Sequence, residues 1–343
     1  MRIAIRVDAA KHIGVGHVMR CLVLANELTA KGARVDFVCR SFPGHLGESI
    51  VADGHRLHLL PAASTPKESI DFSKMPSHAS WLGVSWKTDF VQTKSALNKK
   101  YFDWVIVDHY SLDNRWERAM RELSSRIMVI DDLADREHDC DLLLDQNLFD
   151  DMKTRYNRLI PSECMRLLGP HYSLLRQEFL EIRKTNKKFG GNIRSILIFF
   201  GGSDPSNETS KALKAIRLLD KSDIEIDVLL GSANSYRKEI EGICSSMLNV
   251  RIHFQKKNIY ELMAKADLVI GASGSSTWER CSIGLPALVW CIAENQRAIA
   301  NCADKAGLCI NLGMAKDVCA QTVTNALQEL FNHKEKVLSM TSR

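Results

Sequence analysis

Apolar residues along this chain fall into short continuous runs and longer helical stripes, and the two kinds alternate. The first run, Ile3-Ala4-Ile5-Arg6-Val7 before Asp8, is followed by apolar residues at Val18, Cys21, Leu22, Ala25 and Leu28. That second spacing is the stripe of one helix face. Between them stands Ile13-Gly14-Val15-Gly16-His17-Val18-Met19-Arg20, so the opening unit reads as strand, glycine-bearing loop and helix. The same logic predicts strands over 34–39, 56–60, 104–107, 127–130, 141–147 and 166–169. Helices are predicted over 45–52, 88–99, 114–123 and 174–184. The stretch 61–80 holds three prolines among many Ser and Ala and reads as a long irregular connection, a place where function or mobility resides.

A second alternating set follows. Strands are predicted over 195–200, 225–230, 250–254, 268–270, 287–291 and 308–311, and helices over 208–219, 236–246, 259–265, 277–283, 296–305 and 322–333. Alternation of this kind means α/β architecture with parallel, doubly wound sheets. The basic, polar stretch 185–192, with Gly190-Gly191, is the predicted linker. Two α/β domains facing a cleft are therefore expected, 1–184 and 185–343. A length of 343 residues suits two cores better than one.

Composition narrows the function class. The chain is 45% hydrophobic and 25% charged, with a net charge of +5 and no long Lys/Arg block. A nucleic-acid protein would concentrate its basic residues, whereas a mild positive bias suits an anionic small molecule. No apolar run approaches the ~18 residues of a membrane span, and the amino terminus lacks the basic-then-apolar layout of a signal peptide. Of ten cysteines, Cys21, Cys39, Cys281, Cys291 and Cys309 lie inside apolar segments, the setting of buried thiols, and there is no CxxC pair. A cytoplasmic, reduced protein with no nucleic-acid or membrane partner is expected.

Candidate chemistry gathers at strand ends. Loops after parallel strands lie at the carboxyl edge of the sheet, where open α/β folds bind ligands. Gly14 and Gly16 allow close backbone approach, and His17 at the helix start suits a general base. A tight turn with a solvent-facing histidine fits the same residues. Gly271-Ala272-Ser273-Gly274-Ser275-Ser276-Thr277-Trp278-Glu279 offers backbone N–H groups and hydroxyls from Gly274, Ser275, Ser276 and Thr277 to a diphosphate. Glu279, one turn on, could take a ribose diol, and the alternative is a plain helix cap. Gly201-Gly202-Ser203 ends a strand in the same manner, as a ligand loop or an ordinary turn. Asp108-His109-Tyr110 lies on the edge that carries His17, where the tyrosine either donates to substrate or packs. Asp131, Asp132, Asp135, His138, Asp139 and Asp141 form a dense cluster that suits a divalent metal or, more ordinarily, turns, caps and ion pairs. No Gly-x-Ser-x-Gly, Walker or His-Glu-x-x-His pattern supports serine hydrolysis, P-loop or zincin chemistry.

Several of these loops together resemble one family. Ile13 to Arg20, Val107-Asp108-His109-Tyr110, Ile130-Asp131-Asp132, Leu168-Gly169-Pro170-His171-Tyr172-Ser173-Leu174-Leu175-Arg176, Phe199-Phe200-Gly201-Gly202-Ser203-Asp204 and Gly271-Ala272-Ser273-Gly274 stand in matching order in the UDP-sugar hydrolases of pseudaminic acid biosynthesis. The resemblance runs from Arg2 to Leu312. It implies a GT-B fold, like that of the enzyme adding GlcNAc to lipid-linked muramyl peptide, made of two Rossmann-like domains facing a cleft. It further implies hydrolysis of UDP-2,4-diacetamido-2,4,6-trideoxy-β-L-altropyranose, with no metal and no cofactor. Position by position, His17 matches the catalytic histidine, Tyr110 the active-site tyrosine and Glu279 the ribose-binding glutamate. Trp278 departs from the small polar residue usual there, which bears on the sugar's substituents and not on the nucleotide. The substrate-binding set expected is Gly14, Gly16, Arg20 and Asp108 in the first half. In the second it is Gly201, Gly202, Ser203, Ser273, Gly274, Ser275, Ser276, Thr277, Glu279, Asn295 and Gln296.

The implied mechanism is a single inverting displacement. His17 takes a proton from water as it attacks the anomeric carbon, and the departing UDP is held by amides around Gly274 to Thr277. UDP-sugar and UDP are the expected partners, and the protein is expected to be a monomer. The rival readings are a GT-B glycosyltransferase using a UDP-sugar donor, a hydrolysing UDP-sugar 2-epimerase and a non-catalytic nucleotide-sugar binding protein.

Overall fold

The computed structural model describes all residues except 11, 63–77, 186–189, 220, 232, 256–257, 275 and 342–343. Ser275, most of the irregular connection and the middle of the predicted linker therefore lie outside the described residues. The chain divides into two compact units, Met1–Leu174 and Leu175–Arg343.

The described residues of the first unit carry seven strands: β1 Arg2–Val7, β2 Arg34–Arg40, β3 Arg56–Leu60, β4 Phe102–Asp108, β5 Ser124–Ile130, β6 Leu142–Asp145 and β7 Met165–Leu168. Among the described residues four α-helices accompany them: α1 Gly16–Ala30, α2 Gly47–Ala52, α3 Trp86–Ala96 and α4 Asn114–Met120. The sheet is parallel throughout, in the order β3-β2-β1-β4-β5-β6-β7. The continuous apolar runs of the sequence follow from this arrangement, because such strands are buried on both faces. Alternate residues feed two cores. Val105, Val107, Ile127, Val129 and Leu143 join one cluster, and Ile3, Ile5, Val7, Ile106, Ile130 and Leu144 join the other.

The second unit repeats the plan. Its helices are α5 Gln177–Thr185, α6 Glu208–Leu219, α7 Arg237–Cys244, α8 Ile259–Lys265, α9 Ser276–Ser282, α10 Arg297–Lys305, α11 Ala320–Asn332 and α12 Lys334–Thr341. Its strands are β8 Ser195–Phe199, β9 Glu225–Leu230, β10 Val250–Phe254, β11 Leu268–Ala272, β12 Ala287–Cys291 and β13 Ile310–Met314. They form a parallel sheet in the order β10-β9-β8-β11-β12-β13. Renumbered within the unit this is 3-2-1-4-5-6, the dinucleotide-fold order, and the first unit is the same order with one added edge strand. Here too the faces alternate, with Ile196, Ile198, Ile226 and Val228 on one side and Leu197, Leu229, Val269 and Val289 on the other.

The doubly wound α/β expectation is met, with each predicted strand present. The boundary differs. The sequence assigns the helix over 174–184 to the first domain, yet the division falls before it, between Leu174 and Leu175. The cause is packing: Phe179 of α5 is fully buried in the second unit's core with Leu262, Met263 and Ile283. An additional helix, α12, follows the last predicted one, and its Val337 and Met340 are buried in the same unit. All ten cysteines are free. Cys21, Cys39, Cys291 and Cys309 are buried as their apolar settings predict, whereas Cys281 is half-buried.

Candidate active site

In a sheet of this order the strands on either side of the reversal diverge at their carboxyl ends, leaving a crevice there. In the first unit that point lies between β1 and β4, so the loop before α1 and the residues ending β4 become neighbours. Gly14 takes a φ of +85°, a conformation glycine adopts without strain, and its N–H donates to the Ala10 carbonyl at 2.8 Å. That turn delivers His17 in the first turn of α1. Its ring Nδ1 lies 2.6 Å from Asp108 Oδ1.

Asp108 is fully buried and holds a second partner. Arg20, one turn along α1 from His17, donates Nε to Asp108 Oδ2 and Nη2 to Oδ1, both at 2.6 Å. Burial pushes the Asp108 carboxyl up, and Arg20 and then His17 more than offset this, holding it well below the usual carboxylate range. An ionised Asp108 accepts a hydrogen bond from His17 Nδ1–H, which leaves the lone pair on Nε2. Asp132, just past β5, bridges the neighbouring groups. It accepts from the Tyr110 hydroxyl at 2.5 Å, from Arg20 Nη1 at 3.2 Å and from Asn147 Nδ2 at 2.9 Å. Burial, then Asp132, raises the Tyr110 phenol well above its ordinary value, so it remains a neutral donor. The Tyr110 and His17 rings meet edge to face at 4.6 Å.

A second buried network lies behind the first. Arg6 pairs with Asp8 at 2.6 Å and Asp89 at 2.7 Å, and Arg40 reaches Asp89 at 2.6 Å. His109 accepts from the Ser111 N–H through Nδ1 at 3.1 Å, so its Nε2 carries the proton toward Asp8 at 3.0 Å. Burial pushes the His109 imidazolium pKa down, with Asp8 opposing. Asp8, His17, Asp108, His109, Tyr110, Ile13 and Trp81 line a small recess. The sequence reading singled out His17, Arg20, Asp108 and Tyr110, and it missed Asp8, Asp89, Asn147 and Trp81; Asp132 it placed in the acidic cluster, not with Tyr110 and Arg20. An arginine inside the apolar run of β1 was the one available signal, since a buried guanidinium demands a buried carboxylate.

The acidic cluster after β5 is tied up in ion pairs. Asp131 and Asp135 bind Arg136 at 2.7 and 2.9 Å, His138 binds Glu117 at 2.7 Å, and Asp139 and Asp141 bind Arg121 at 2.5 and 3.2 Å. Gly16 begins α1 and lies next to His17.

The second unit's reversal, between β8 and β11, gathers the other predicted loops. Gly201 has φ +85° in the turn after β8, and a Cβ on Gly231 would stand 2.3 Å from the Gly202 carbonyl. The Gly202 backbone therefore passes tightly over the end of β9, and Ser203 follows it in the chain. After β11, Ser273 and Thr277 are fully buried, and Ser273 Oγ and Thr277 Oγ1 have no hydrogen-bond partner among the described residues. The Thr277 N–H donates to the Gly274 carbonyl at 3.0 Å, which removes one of the amides expected to face a diphosphate. Ser276 opens α9. Glu279, on the same helix, accepts from Arg176 Nε at 2.8 Å. Burial raises its carboxyl above the usual range, against the pull of Arg176. Trp278 is only 4% exposed, so its indole is packed in the unit and does not stand as a free ring. Asn295 and Gln296 fall in the short turn Glu294–Gln296, where Gln296 Oε1 accepts from the Ile292 N–H at 3.0 Å. Gln296 Nε2 would lie 3.6 Å from a Cβ on Gly274, which sets it beside that loop.

No helix among the described residues is long and apolar enough to cross a membrane, and none of their His, Cys, Asp and Glu side chains form a group of three or more arranged to hold a metal.

Residues 196–343 match the model of the glycosyltransferase family 28 C-terminal domain. An uncharacterized protein of Methanocaldococcus jannaschii is 28% identical over 303 residues, 87% of this chain and 57% of that protein. This chain thus spans little more than half of that relative's length. The UDP-2,4-diacetamido-2,4,6-trideoxy-beta-L-altropyranose hydrolase of Campylobacter jejuni is 26% identical over 310 residues, 90% of this chain and 97% of that enzyme. Among solved structures, MurG of Acinetobacter baumannii superposes with a TM-score of 0.64 at 12% identity, over 100% of this chain and 95% of that one. The chain has the GT-B fold, two Rossmann-like parallel-sheet units, and its second unit is related to the C-terminal domain of glycosyltransferase family 28.

Proposed function

We propose that this protein is a nucleotide-sugar enzyme that breaks the bond between the anomeric carbon of a UDP-linked sugar and the diphosphate, with His17 activating the attacking hydroxyl. The observation that carries the reading is the 2.6 Å contact of His17 Nδ1 with the buried Asp108 carboxylate at the switch point of the first unit. Asp108 fixes the tautomer with Nε2 unprotonated and stabilises the imidazolium that forms as the hydroxyl loses its proton. This is the logic of an oriented base in other hydrolases and transferases. Tyr110, kept neutral and directed by Asp132, positions the His17 ring. In the second unit the reading gives the diphosphate to the loop Ser273 to Thr277, whose buried hydroxyls want partners, and the ribose to Glu279.

Two acceptors are compatible with this chemistry. Transfer of the sugar to a hydroxyl acceptor is supported by the family 28 match and by the fold shared with MurG. Water as acceptor is supported by the Campylobacter hydrolase, aligned over 97% of its length. Under that finer reading the donor is UDP-2,4-diacetamido-2,4,6-trideoxy-β-L-altropyranose, and one displacement inverts the anomeric centre.

The test incubates the purified chain with that donor and, separately, with UDP-N-acetylglucosamine in ¹⁸O water, with and without a lipid-linked saccharide. Release of unlabelled UDP supports attack at carbon. Label in the free sugar then identifies hydrolysis, and acceptor-dependent release identifies transfer. Label in UDP places the attack at phosphorus and rules out His17 as the base for attack at carbon.

A further inference from the structure

Two thiols outside the candidate site lie sulfur to sulfur. Cys140 ends the loop before β6, and Cys164 ends the turn before β7, the edge strand of the first unit's sheet. The Met165 N–H donates to the Asp141 carbonyl at 3.0 Å, so the residues just ahead of these two enter the sheet side by side. Their Sγ atoms are 3.5 Å apart, in van der Waals contact, against ~2.0 Å in a disulfide. Both belong to the core cluster that holds Tyr156 and Ile160.

The two thiols are unequal. Cys140 is 2% exposed, whereas Cys164, itself 6% exposed, stands between the exposed Glu163 and Met165. The Cys164 N–H donates to the Pro161 carbonyl at 3.1 Å, closing a turn at the surface. Cys164 Sγ donates to the Met165 carbonyl at 3.4 Å, which leaves Cys140 to donate to Cys164. That S–H lowers the Cys164 thiol below its ordinary value, against the pull of burial. The same contact, then burial, pushes the Cys140 thiol up. The thiolate is the form that attacks an oxidant, so Cys164 reacts first and Cys140 second.

We propose that Cys140 and Cys164 form a redox modification site, at which hydrogen peroxide closes the pair to a disulfide that clasps β6 to β7. The Cys164 thiolate attacks one peroxide oxygen and the O–O bond breaks. Its sulfur becomes a sulfenic acid, and the other oxygen leaves as water with the proton that Cys164 gave up. The Cys140 sulfur then attacks that sulfur, the S–O bond breaks, and hydroxide leaves with the Cys140 proton as a second water. Two thiols and one peroxide thus give one disulfide and two waters. The chain between the cysteines carries Asn147, Arg155 and Tyr156, which bind Asp132, Asp145 and Asp131, so the clasp closes the base of the segment that supports Asp132. The proposal does not depend on the reading of His17.

The test treats the folded full chain with a few equivalents of hydrogen peroxide, blocks the remaining thiols with iodoacetamide in denaturant and maps the unreduced peptides by mass spectrometry. The peptides of Cys140 and Cys164 should appear joined and lighter by two hydrogens, and dithiothreitol should restore both thiols. Cys21 and Cys39, buried in the same unit, should remain thiols as the sign of an intact fold. In Cys140→Ser the sulfenic acid has no thiol to meet, so Cys164 should take dimedone at least fivefold more than in the parent. Recovery of Cys140 and Cys164 as alkylated thiols while the exposed Cys319 is oxidised overturns the proposal. Linkage that appears only together with oxidation of Cys21 and Cys39 reports unfolding and overturns it equally. The parent measurement needs no variant, so it decides even where Cys140→Ser fails to fold.

Discussion

The two units share one strand order and treat its reversal point in opposite ways. In the first, the groups at the ends of β1 and β4 bond to each other: His17 and Arg20 to Asp108, and Tyr110 and Arg20 to Asp132. In the second, the loop after β11 buries the hydroxyls of Ser273 and Thr277 with no partner among the described residues. Leaving a buried donor unsatisfied costs about 1–3 kcal/mol. The first arrangement is preorganised and holds a base in one orientation. The second is the kind of site that a ligand's oxygen atoms complete. Under the proposed function, equivalent positions of two similar sheets divide the labour, with chemistry in one unit and grip on the nucleotide in the other.

The contrast breaks most readily at Asp108. Asp108→Ala should lower turnover by up to about 10⁴-fold, because the imidazole loses its tautomer and orientation. It should also destabilise the fold by about 3 kcal/mol, at the low end for a broken buried pair, since Arg20 retains Asp132 at 3.2 Å. A melt that shifts while the rate of the folded fraction holds would make Asp108 structural only. In the other unit Glu279→Ala should weaken UDP binding by ~1–3 kcal/mol with little effect on folding. Calorimetry that finds UDP affinity unchanged in the folded variant takes Glu279 out of the site.

Acidity also divides the buried carboxyls within the first unit. Burial, then Asp132, raises Asp145 to about 7. A carboxyl raised in the folded state contributes stability that is complete below about pH 4 and lost as pH rises to about 7. Asp145→Asn should therefore flatten the fall in stability between those values, measured as urea midpoints against pH. Asp8 and Asp108 run the other way, since Arg6 and Arg20 outweigh burial and hold both low. Their contribution is present above about pH 4 and lost on further acidification. A variant whose pH 4–7 slope equals that of the parent contradicts the Asp145 assignment. Tyr110→Phe, which loses one hydrogen bond to Asp132, should cost less than about tenfold in rate, from the ~1 kcal/mol such a bond contributes. Turnover should be unaffected by EDTA, because Asp131 to Asp141 serve as ion-pair partners; restoration of lost activity by Mg²⁺ or Mn²⁺ would overturn that role.

Much of this was legible in the sequence because parallel strands buried on both faces write themselves as apolar runs. His17, Asp108 and Tyr110 were legible too, since each stands next to a strand end or glycine loop whose place the alternation fixes. The domain boundary was not, because α5 joins the second unit only through the burial of Phe179. Nor was Trp81: it follows a proline-bearing connection with no periodicity, and its approach to Tyr110 depends on the short turn Ala79–Leu82. Asp89 was equally hidden, on a mostly polar helix where nothing local tells that its carboxylate receives Arg6, Arg40 and the Trp116 indole.

The most direct test of the division of labour is His17→Gln assayed for turnover and for UDP binding on the same preparation. The account predicts a fall in turnover of ~10²–10⁴-fold, the usual effect of losing a general base, with UDP affinity nearly unchanged. Turnover within a few-fold of the parent, or a loss of UDP affinity equal to the loss of rate, would contradict it.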